Sequence, residues 1–539
     1  MGSGRVKGDK CVFERFRRWI RKMIGPKDVE NVLHITPVIS TDMMNAMELW
    51  EDMYTGKSPW LHNPTPDDPV EIRSLGLPSM IASEKARMAV LELKSKITIR
   101  GDVNNSEEDD RIDWLNKEYK DKILSKLRNQ LEYGEFSGGF VIKPYIVFKP
   151  VDSEEVSNDD TIHNQSLQPS LEVEFINQGS YFPLAYESSG KITEAAFIQT
   201  RVDKDYIYRR LEYHKLESNS ITIINKAFKS VNKQVRNAQS INSYQQNLGD
   251  EIPLNSVPEW SNLQEMIKIK NVDRLLFAYY KCPEANTIDP LSPLGMSAYG
   301  RAVDLIKQAD LQYSRILWEY QATEAAIDID RDALLTGMDS NGKTYIKPNL
   351  MQQRLYRKLD LGESDTYKPF LPQIRDQSLY NGLNKLLMHI EDVCALSRGT
   401  LSDTASSEAR TATELKILKQ RSFSANQDIQ QALQKTLEDV IYIFNIYADL
   451  YEINESENEY EVSFEWDDSI LVDTDTELNQ RLRLLEKGII SKLELRKWYF
   501  GETEDQANEA LSQVGKETDE EDEREFKNQN RFTSFEGTD

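Results

Sequence analysis

The stretch GTLSDTASSEART, residues 399–411, separates two segments whose apolar residues recur at the spacing of amphipathic helices. The segment before it, residues 376–396, carries a stripe made of Leu379, Leu383, Leu386, Ile390 and Val393. The segment after it, residues 412–451, would form a helix about 60 Å long. Its stripe is made of Leu415, Leu418, Ala425, Ile429, Leu433, Leu437, Ile441, Phe444 and Ala448. Compact domains rarely need such a helix, so this polar stretch joins parts of an extended helical framework.

A third long helix is predicted upstream, over residues 297–325, and begins after the turn at Pro293 and Gly295. Its stripe is made of Tyr299, Val303, Ile306, Ala309, Tyr313, Ile316 or Leu317, and Tyr320. Residues 326–372 lie between this helix and the next one, and their pattern predicts a compact insertion of mixed secondary structure.

The first half of the chain predicts helices followed by an antiparallel sheet. Helical spacing covers residues 41–93, apart from the turn-rich stretch 59–69, and residues 110–133. Between residues 140 and 228, segments rich in Val, Ile, Tyr and Phe alternate apolar and polar side chains, which favours strands. Two polar stretches interrupt these strands, residues 151–170 and 229–250. The fold class is therefore predicted as α+β.

Both ends of the chain have a distinct composition. Residues 12–24 predict a basic amphipathic helix, which suits either a membrane or nucleic-acid surface or a docking arm on protein. We favour the docking arm, because no lipidation motif accompanies it. After a strand pair over 460–473 and helices over 475–487 and 491–514, an acidic tail is predicted to be disordered.

Composition excludes several classes of protein. The chain has 539 residues, with 66 basic and 90 acidic side chains, and a formal net charge of −24, which opposes tight nonspecific DNA binding. Three widely spaced cysteines and five histidines predict neither a disulfide framework nor a metal site. Without a signal-peptide or membrane-spanning pattern, we expect a soluble protein made inside the cell, with no membrane partner.

One motif points to a nucleotide. GMDSNGKT, residues 337–344, matches the P-loop pattern, with Lys343 and Thr344 at its end. A P-loop needs a strand directly before it and a helix beginning at the lysine, but Pro348 opposes that helix and Asp339 would repel phosphate. Asn341-Gly342 instead favours a hairpin.

Other catalytic signatures are missing. The nucleophile elbow and the zinc-protease motif are absent, and the histidines have no partner spacing. Helix caps and turns explain paired acids such as Asp109 and Asp110 better than a metal site does. We predict no enzyme activity, no catalytic residue, no metal and no cofactor.

Several stretches, in the same order, resemble the portal proteins of tailed bacteriophages, in the branch from long-tailed phages of Gram-positive bacteria sometimes labelled minor capsid protein. The resemblance covers about residues 30–515. Each motif is weakly specific alone, and their number and order carry the resemblance. The stretches are LWEDMYTGKSPW, SLGLPSMIASEKARMAVLEL, LEYGEFSGGFVIKPY, FPLAYESSGKITEAAFI, SPLGMSAYGRAVDLIKQADLQYS and FEWDDSILVDTDTELNQRLRLLEKGIISKLELRKWYFG.

The resemblance implies a portal fold with a mixed α/β wing, a two-helix stem, a small α/β clip, a long wing helix and a helical crown. On this sequence the parts correspond to an N-terminal arm 1–29, wing 30–290, first stem helix 291–325, clip 326–372, second stem helix 373–396, tunnel loop 397–411, long helix and strands returning to the wing 412–474, crown 475–515, and acidic tail 516–539.

The resemblance also implies which residues act. The tunnel loop would face DNA through Arg398, Gly399, Thr400, Ser402, Asp403, Thr404, Ser406, Ser407, Glu408 and Arg410. Either flanking arginine, Arg398 or Arg410, could touch phosphate, although we favour pairing with Asp403 or Glu408 of a neighbouring subunit. The clip hairpin would offer Asp339, Ser340, Asn341, Gly342 and Lys343 to the terminase or an adaptor.

As a portal protein the chain would form a homo-oligomeric ring, with twelve subunits as in the family, at one capsid vertex of the virion after assembly in the host cytoplasm. Double-stranded DNA would pass through it, and the implied protein partners are the terminase large subunit, the head-tail adaptor, the scaffold protein and the major capsid protein. An acidic channel wall would let DNA slide. The alternatives are a packaging NTPase that uses Lys343 and a monomeric scaffold protein.

Overall fold

The chain has two compact units, residues 1–465 and 466–539. They are seen in a computed structural model, which describes residues 26–62, 71–100, 109–150, 167–188, 190–203, 205–231, 248–324, 326–330, 337–338, 340, 342, 344–345, 356–359, 367–403, 412–456, 458–466, 474–500, 507–508 and 510–512. The predicted basic helix 12–24 and the acidic tail 516–539 lie outside these residues.

Helices and strands alternate in blocks within the described residues, as an α+β fold requires. The helices are α1 (Pro26–Leu33), α2 (Thr41–Tyr54), α3 (Leu77–Val90), α4 (Asp110–Glu118), α5 (Ser125–Ser137), α6 (Val303–Ala322), α7 (Asp376–Val393), α8 (Ala412–Leu450), α9 (Thr474–Glu486) and α10 (Lys492–Phe500). The strands are β1 (Leu93–Ile99), β2 (Gly139–Pro150), β3 (Leu167–Asn177), β4 (Tyr181–Tyr186), β5 (Ile192–Val202), β6 (Tyr206–Glu217), β7 (Ser220–Val231), β8 (Asp250–Ile252), β9 (Met266–Lys270), β10 (Ala278–Lys281), β11 (Ala326–Asp330), β12 (Gly337–Met338), β13 (Thr344–Tyr345), β14 (Tyr356–Leu359), β15 (Tyr367–Phe370) and β16 (Tyr460–Trp466).

The predicted antiparallel strands form two neighbouring sheets. The larger sheet has the order β4-β5-β6-β7-β8, with β9 also paired to β7, and the smaller has the order β10-β2-β3. Sequential strands pair because short turns join them, as between Glu217 and Ser220. Helix α1 packs on the larger sheet through Val29, which is fully buried in a cluster with Phe182, Leu211 and Phe228.

The predicted helix over 110–133 is present but not uniform. A π-helical segment, Tyr119–Leu124, lies between α4 and α5. Tyr119 and Ile123 are buried there, and the Tyr119 hydroxyl lies 3.0 Å from Ser95 Oγ of β1. The π-helical segment therefore occurs where Tyr119 and Ile123 pack against the rest of the protein.

Helix α6 begins later than the sequence predicts, at Val303 instead of residue 297. The residues just before it make hydrogen bonds to other elements. Ala298 N donates to Glu135 O at 2.8 Å, and the Tyr299 hydroxyl donates to Trp50 O at 2.7 Å. A short 3-10 turn, Gly300–Ala302, then leads into the helix. Tertiary hydrogen bonds thus replace the first predicted turn.

Helices α6 and α7 run antiparallel and pack on each other. Glu319, near the end of α6, binds the Arg375 guanidinium at the start of α7, with Nη2–Oε2 and Nε–Oε1 distances of 2.8 and 3.1 Å. Gln312 lies about two turns before Glu319 in α6, and Leu379 lies about one turn after Arg375 in α7. Gln312 Nε2 donates to Leu379 O at 3.2 Å. The described residues of the insertion between them form a sheet of order β14-β11-β15 and the hairpin β12-β13.

Helix α8 spans 39 residues and crosses the N-terminal part of the fold, where it contacts α3, β2 and β10. Two ion pairs fix it there: Arg111 Nη1 lies 2.5 Å from Asp449 Oδ1, and Arg274 Nη1 lies 2.8 Å from Asp439 Oδ1. The predicted stripe from its middle onward is buried, namely Ile429, Leu433, Leu437, Ile441, Phe444 and Ala448.

Strand β16 lies at the end of the first unit, and helices α9 and α10 lie in the second. Strand β16 pairs with β1, while the predicted second strand, residues 469–473, lies outside the described part of the chain. In the second unit α9 and α10 pack together, joined by a turn in which Gly488 has φ 68°. These match the predicted helices 475–487 and, in its first part, 491–514.

A buried ionic cluster lies where the two sheets meet. Lys143 Nζ is 2.8 Å from Glu212 Oε2, which also binds Arg210 Nη2 at 2.9 Å, while Glu212 Oε1 is 2.7 Å from His214 Nε2. Burial opposes ionisation of Glu212, but Lys143 and its other partners hold its pKa well below the usual range. Burial lowers the pKa of His214 despite the bond to Glu212. The imidazole is therefore neutral at neutral pH.

We predict that Gly295→Ala lowers the free energy of unfolding by about 3 kcal/mol or more. A Cβ at Gly295 would lie 2.0 Å from Gly138 O, a backbone atom that cannot move away cheaply. Gly179→Ala is the matched control, because a Cβ there meets open space. Urea denaturation followed by circular dichroism measures both, and equal midpoints for the two variants would contradict the close contact.

We predict that acid removes stability through His214. Its folded pKa lies below the ordinary value of 6.5, so the unfolded chain takes up the proton first and the free energy of unfolding falls as the pH drops below about 6.5. His214→Gln keeps a donor for Glu212 and should flatten this fall. His389→Gln, at an exposed histidine, should leave the slope unchanged. Denaturation at a series of pH values is the measurement, and equal slopes for wild type and His214→Gln would refute the assignment.

Candidate functional site

The connection between α7 and α8 leaves α7 through a tight helix end. Cys394 N donates to Ile390 O and Leu396 N to Glu391 O, both at 2.9 Å, with Ala395 in the left-handed region at φ 55°. A turn follows, in which Thr400 Oγ1 donates to Ser397 O at 2.7 Å and Gly399 has φ 93°. Glycine suits that conformation because it has no Cβ.

A single buried carboxylate holds the next residues. Glu391 is fully buried, and its Oε1 accepts hydrogen bonds from the backbone N–H groups of Gly399, Leu401 and Ser402 at 3.1, 2.7 and 2.8 Å. Its Oε2 accepts a fourth from Ser402 Oγ at 2.8 Å. Four donors offset the loss of water around the charge, which is what allows a carboxylate to be buried there.

Asn384, about two turns before Glu391 in α7, makes a second attachment to the connection. Its Oδ1 accepts from Asp403 N at 2.7 Å and its Nδ2 donates to Asp403 O at 2.9 Å. The side-chain amide thus satisfies both backbone groups of one residue, as a neighbouring strand would. Asn384 and Glu391 are seven residues apart and therefore lie on the same face of α7.

Asp392 makes the third attachment and reaches α8. Its Oδ2 pairs with Arg398 Nη2, and its Oδ1 lies 3.1 Å from Arg421 Nη1 of α8. One carboxylate therefore links the helix α7, the connection and the helix α8. The second guanidinium nitrogen of Arg398, Nη1, is buried without a hydrogen-bond partner among the described residues.

The predicted DNA-facing residues therefore divide into two groups. Arg398, Gly399, Thr400, Ser402 and Asp403 are described, and Ser402 is buried. Within its own chain Arg398 pairs with Asp392. The remaining predicted residues lie outside the described part of the chain: Thr404, Ser406, Ser407, Glu408 and Arg410.

The sequence analysis did not select the residues that make the attachments. Asn384, Glu391, Asp392 and Arg421 belong to segments interpreted only as amphipathic helices. A usable signal existed, because Asn384 and Glu391 each stand next to an apolar stripe residue, Leu383 and Ile390, and both of these are buried. Polar residues so close to a buried stripe need hydrogen-bond partners.

The P-loop lookalike is a hairpin. Gly337 pairs with Tyr345 and Met338 with Thr344 in antiparallel register. Thr344 therefore begins a strand where a phosphate-binding loop needs a helix, which confirms the hairpin prediction. The turn spans five residues and is longer than the two-residue turn that Asn341-Gly342 favours. Within it Ser340 and Gly342 are described, whereas Asp339, Asn341 and Lys343 lie outside the described residues.

The described residues offer no obvious second kind of site. None of their His, Cys, Asp and Glu side chains form a group of three that could hold a metal ion. Cys282 and Cys394 are free and buried, and burial raises the pKa of Cys394 to about 12. Within the described ranges, no helix has both the length and the apolar character that a membrane crossing requires.

Apolar side chains are exposed on the paired helices and next to them. Trp318 of α6 is 62% exposed, and Leu371, just before α7, is 73% exposed. Tyr320 of α6 and Tyr380 of α7 are also exposed. Large exposed apolar groups on packed helices are typical of surfaces that contact other proteins.

Comparison with known families identifies the family of the chain. Residues 168–524 match the family described as phage portal protein, SPP1 Gp6-like, which is well over half of the chain. No curated protein is significantly similar to the chain. The matched residues include the paired helices α6 and α7, the small sheet between them, the connection held by Glu391 and the long helix α8. The chain belongs to the phage portal protein family.

Proposed function

We propose that the chain is the subunit of a ring, with twelve copies, that forms the DNA channel at one vertex of the phage capsid. The observation that carries this proposal is the antiparallel pair α6 and α7. The small sheet β14-β11-β15 lies at one end of the pair, and the connection 394–411 leaves from the other. Helices of 20 and 18 residues separate the two by about 30 Å.

The proposal assigns the parts of the portal plan as the family resemblance implies. The sheets and helices of residues 30–290 act as the wing, α6 and α7 as the stem, residues 326–372 as the clip and residues 397–411 as the tunnel loop. Helix α8 returns across the wing, and residues 475–515 act as the crown. Exposed Trp318 and Leu371 suit contacts between neighbouring stems, because a ring gives each subunit two neighbours.

In this proposal the ring contacts DNA only weakly, because of its negative net charge and the side chains of its loop. The chain carries a net charge of −24, so a ring surrounds the channel with negative charge and repels the DNA backbone. Residues 404–411, TASSEART, offer hydroxyls and one arginine. Few cations mean few displaced counterions, and hence low affinity and little resistance to sliding.

The ends of the ring bind different partners. The hairpin of residues 337–345 lies in the clip, where it contacts the terminase large subunit during packaging and the head-tail adaptor afterwards. The wing faces the scaffold protein and the major capsid protein. The ring assembles in the host cytoplasm and is retained in the virion.

We predict that replacing residues 404–411 with an equally long Gly-Ser sequence leaves ring assembly intact and lowers the yield of DNA-filled heads at least about tenfold. The replacement removes Glu408 and Arg410 without touching the attachments through Glu391, Asn384 or Asp392. Native mass spectrometry and negative-stain imaging of the purified protein count the subunits. Electron microscopy of infected cells counts filled heads.

A matched control replaces Asn479, Gln480 and Leu482, which are exposed on α9, with Ser, and should change neither readout. A purified wild-type chain that stays monomeric would overturn the ring. Normal filling with the Gly-Ser sequence would overturn the role of residues 404–411.

A further inference from the structure

We propose that Glu391 is the positioning residue of the tunnel loop: it fixes the backbone of residues 399–402 to α7 and so holds these residues away from the DNA. This inference rests on the proposed channel function. It reassigns Gly399, Thr400, Ser402 and Asp403 from DNA contact to attachment.

The contacts of Glu391 suit attachment and leave no capacity for a ligand. Both carboxylate oxygens are occupied by donors from residues 399–402, and the side chain is fully buried. Three of the four donors are backbone N–H groups, so the arrangement constrains the path of the chain and not merely one side chain. Ser402, which is also buried, contributes the fourth.

Chain length shows what this attachment controls. The connection from 394 to 411 has 18 residues, and an unattached chain of that length extends at most about 60 Å, so its tip could stand about 30 Å from the helix ends. Glu391 holds residues 399–402 and Asn384 holds Asp403, so the ten residues 394–403 stay close to α7 and do not extend. The two attachments together therefore limit the reach that the full length would allow.

The other two attachments hold different groups. Asn384 holds Asp403 alone, and Asp392 holds the Arg398 side chain and Arg421 of α8 without touching the backbone of residues 399–402. Loss of Glu391 thus frees the backbone of residues 399–402 while the ends of α7 and α8 stay linked through Asp392. A defect in the Glu391 variants can in this way be separated from a general loosening of the stem.

Two substitutions of Glu391 weaken the attachment to different degrees. Glu391→Gln keeps the shape of the side chain and an oxygen that can accept from the three backbone N–H groups, while its amide nitrogen faces Ser402 Oγ, which can accept. It therefore removes the charge and weakens the hydrogen bonds without breaking them all. Glu391→Ala removes all four hydrogen bonds. Asp304→Asn is the matched control, because it removes the same single charge from an exposed position on α6, the other stem helix.

The first measurement is hydrogen-deuterium exchange of assembled rings, read in peptides covering residues 396–403. We expect exchange about tenfold faster, or more, in Glu391→Ala, an intermediate increase in Glu391→Gln, and wild-type exchange in Asp304→Asn. Unchanged exchange in Glu391→Ala would overturn the attachment.

The second measurement is the yield of DNA-filled heads from phage carrying each variant, with ring mass and thermal midpoint measured in parallel. We expect rings of normal mass, control-like midpoints in Glu391→Gln, and filled heads reduced at least about threefold. Faster exchange with normal filling would overturn the role of the attachment in DNA passage. A wild-type protein without rings would instead refute the proposed function, and exchange would still report on Glu391. If Glu391→Ala does not fold, Glu391→Gln decides, with wild-type exchange and filling counting against the proposal.

Discussion

The contact between Gly138 and Gly295 fixes how the sheets are joined to the long helices. Each glycine lies where a Cβ would meet the carbonyl oxygen of the other, at 2.3 and 2.0 Å. The buried Gln178 side chain completes the junction: Nε2 donates to Ser137 O and Gly295 O, and Oε1 accepts from Gly295 N and the Tyr279 hydroxyl. The chain enters α6 soon after this junction, so backbone contact sets the direction of the helix pair α6 and α7 and leaves little room for adjustment.

Buried charge supports the same junction from the other side. Lys85 of α3 lies 2.9 Å from Glu284, and Glu135 of α5 accepts a 2.6 Å bond from the Tyr280 hydroxyl. Burial lowers the pKa of Lys85, but Glu284 and Glu135 more than offset this and the net shift is upward, so the ammonium stays charged. Such a cluster stabilises one arrangement of partners, because any other leaves a buried charge without a counterion.

The sequence predicts elements well where one face of a helix or strand is buried. The stripe of α8 from Ile429 to Ala448, the strands between residues 140 and 228 and the paired helices all follow from periodicity, and the hairpin over 337–345 follows from turn chemistry. The late start of α6 and the π-helical turn do not, because contacts with residues distant in sequence determine them. Ala298 N, for example, bonds to Glu135 O.

The candidate site shows the same limit more sharply. The small polar residues of 399–411 mark the loop, and the family resemblance supplies a role for it, but neither distinguishes attached from unattached residues. That distinction depends on Asn384, Glu391 and Asp392, which lie one to three turns earlier in a helix and touch the loop only because the chain reverses at Ala395. Pairing across a reversal is a tertiary property that helical periodicity does not encode.

In the proposed ring, an acidic channel and an attached loop would solve one physical problem together. A polyanion moves past a negative wall because attraction is weak, but a wall without any contact could not hold the DNA in place. A loop that is free over its whole length would lose conformational entropy each time it made contact, which weakens the contact. Glu391 and Asn384 fix residues 399–403 when the subunit folds, so on this proposal part of that entropy is already lost before DNA arrives.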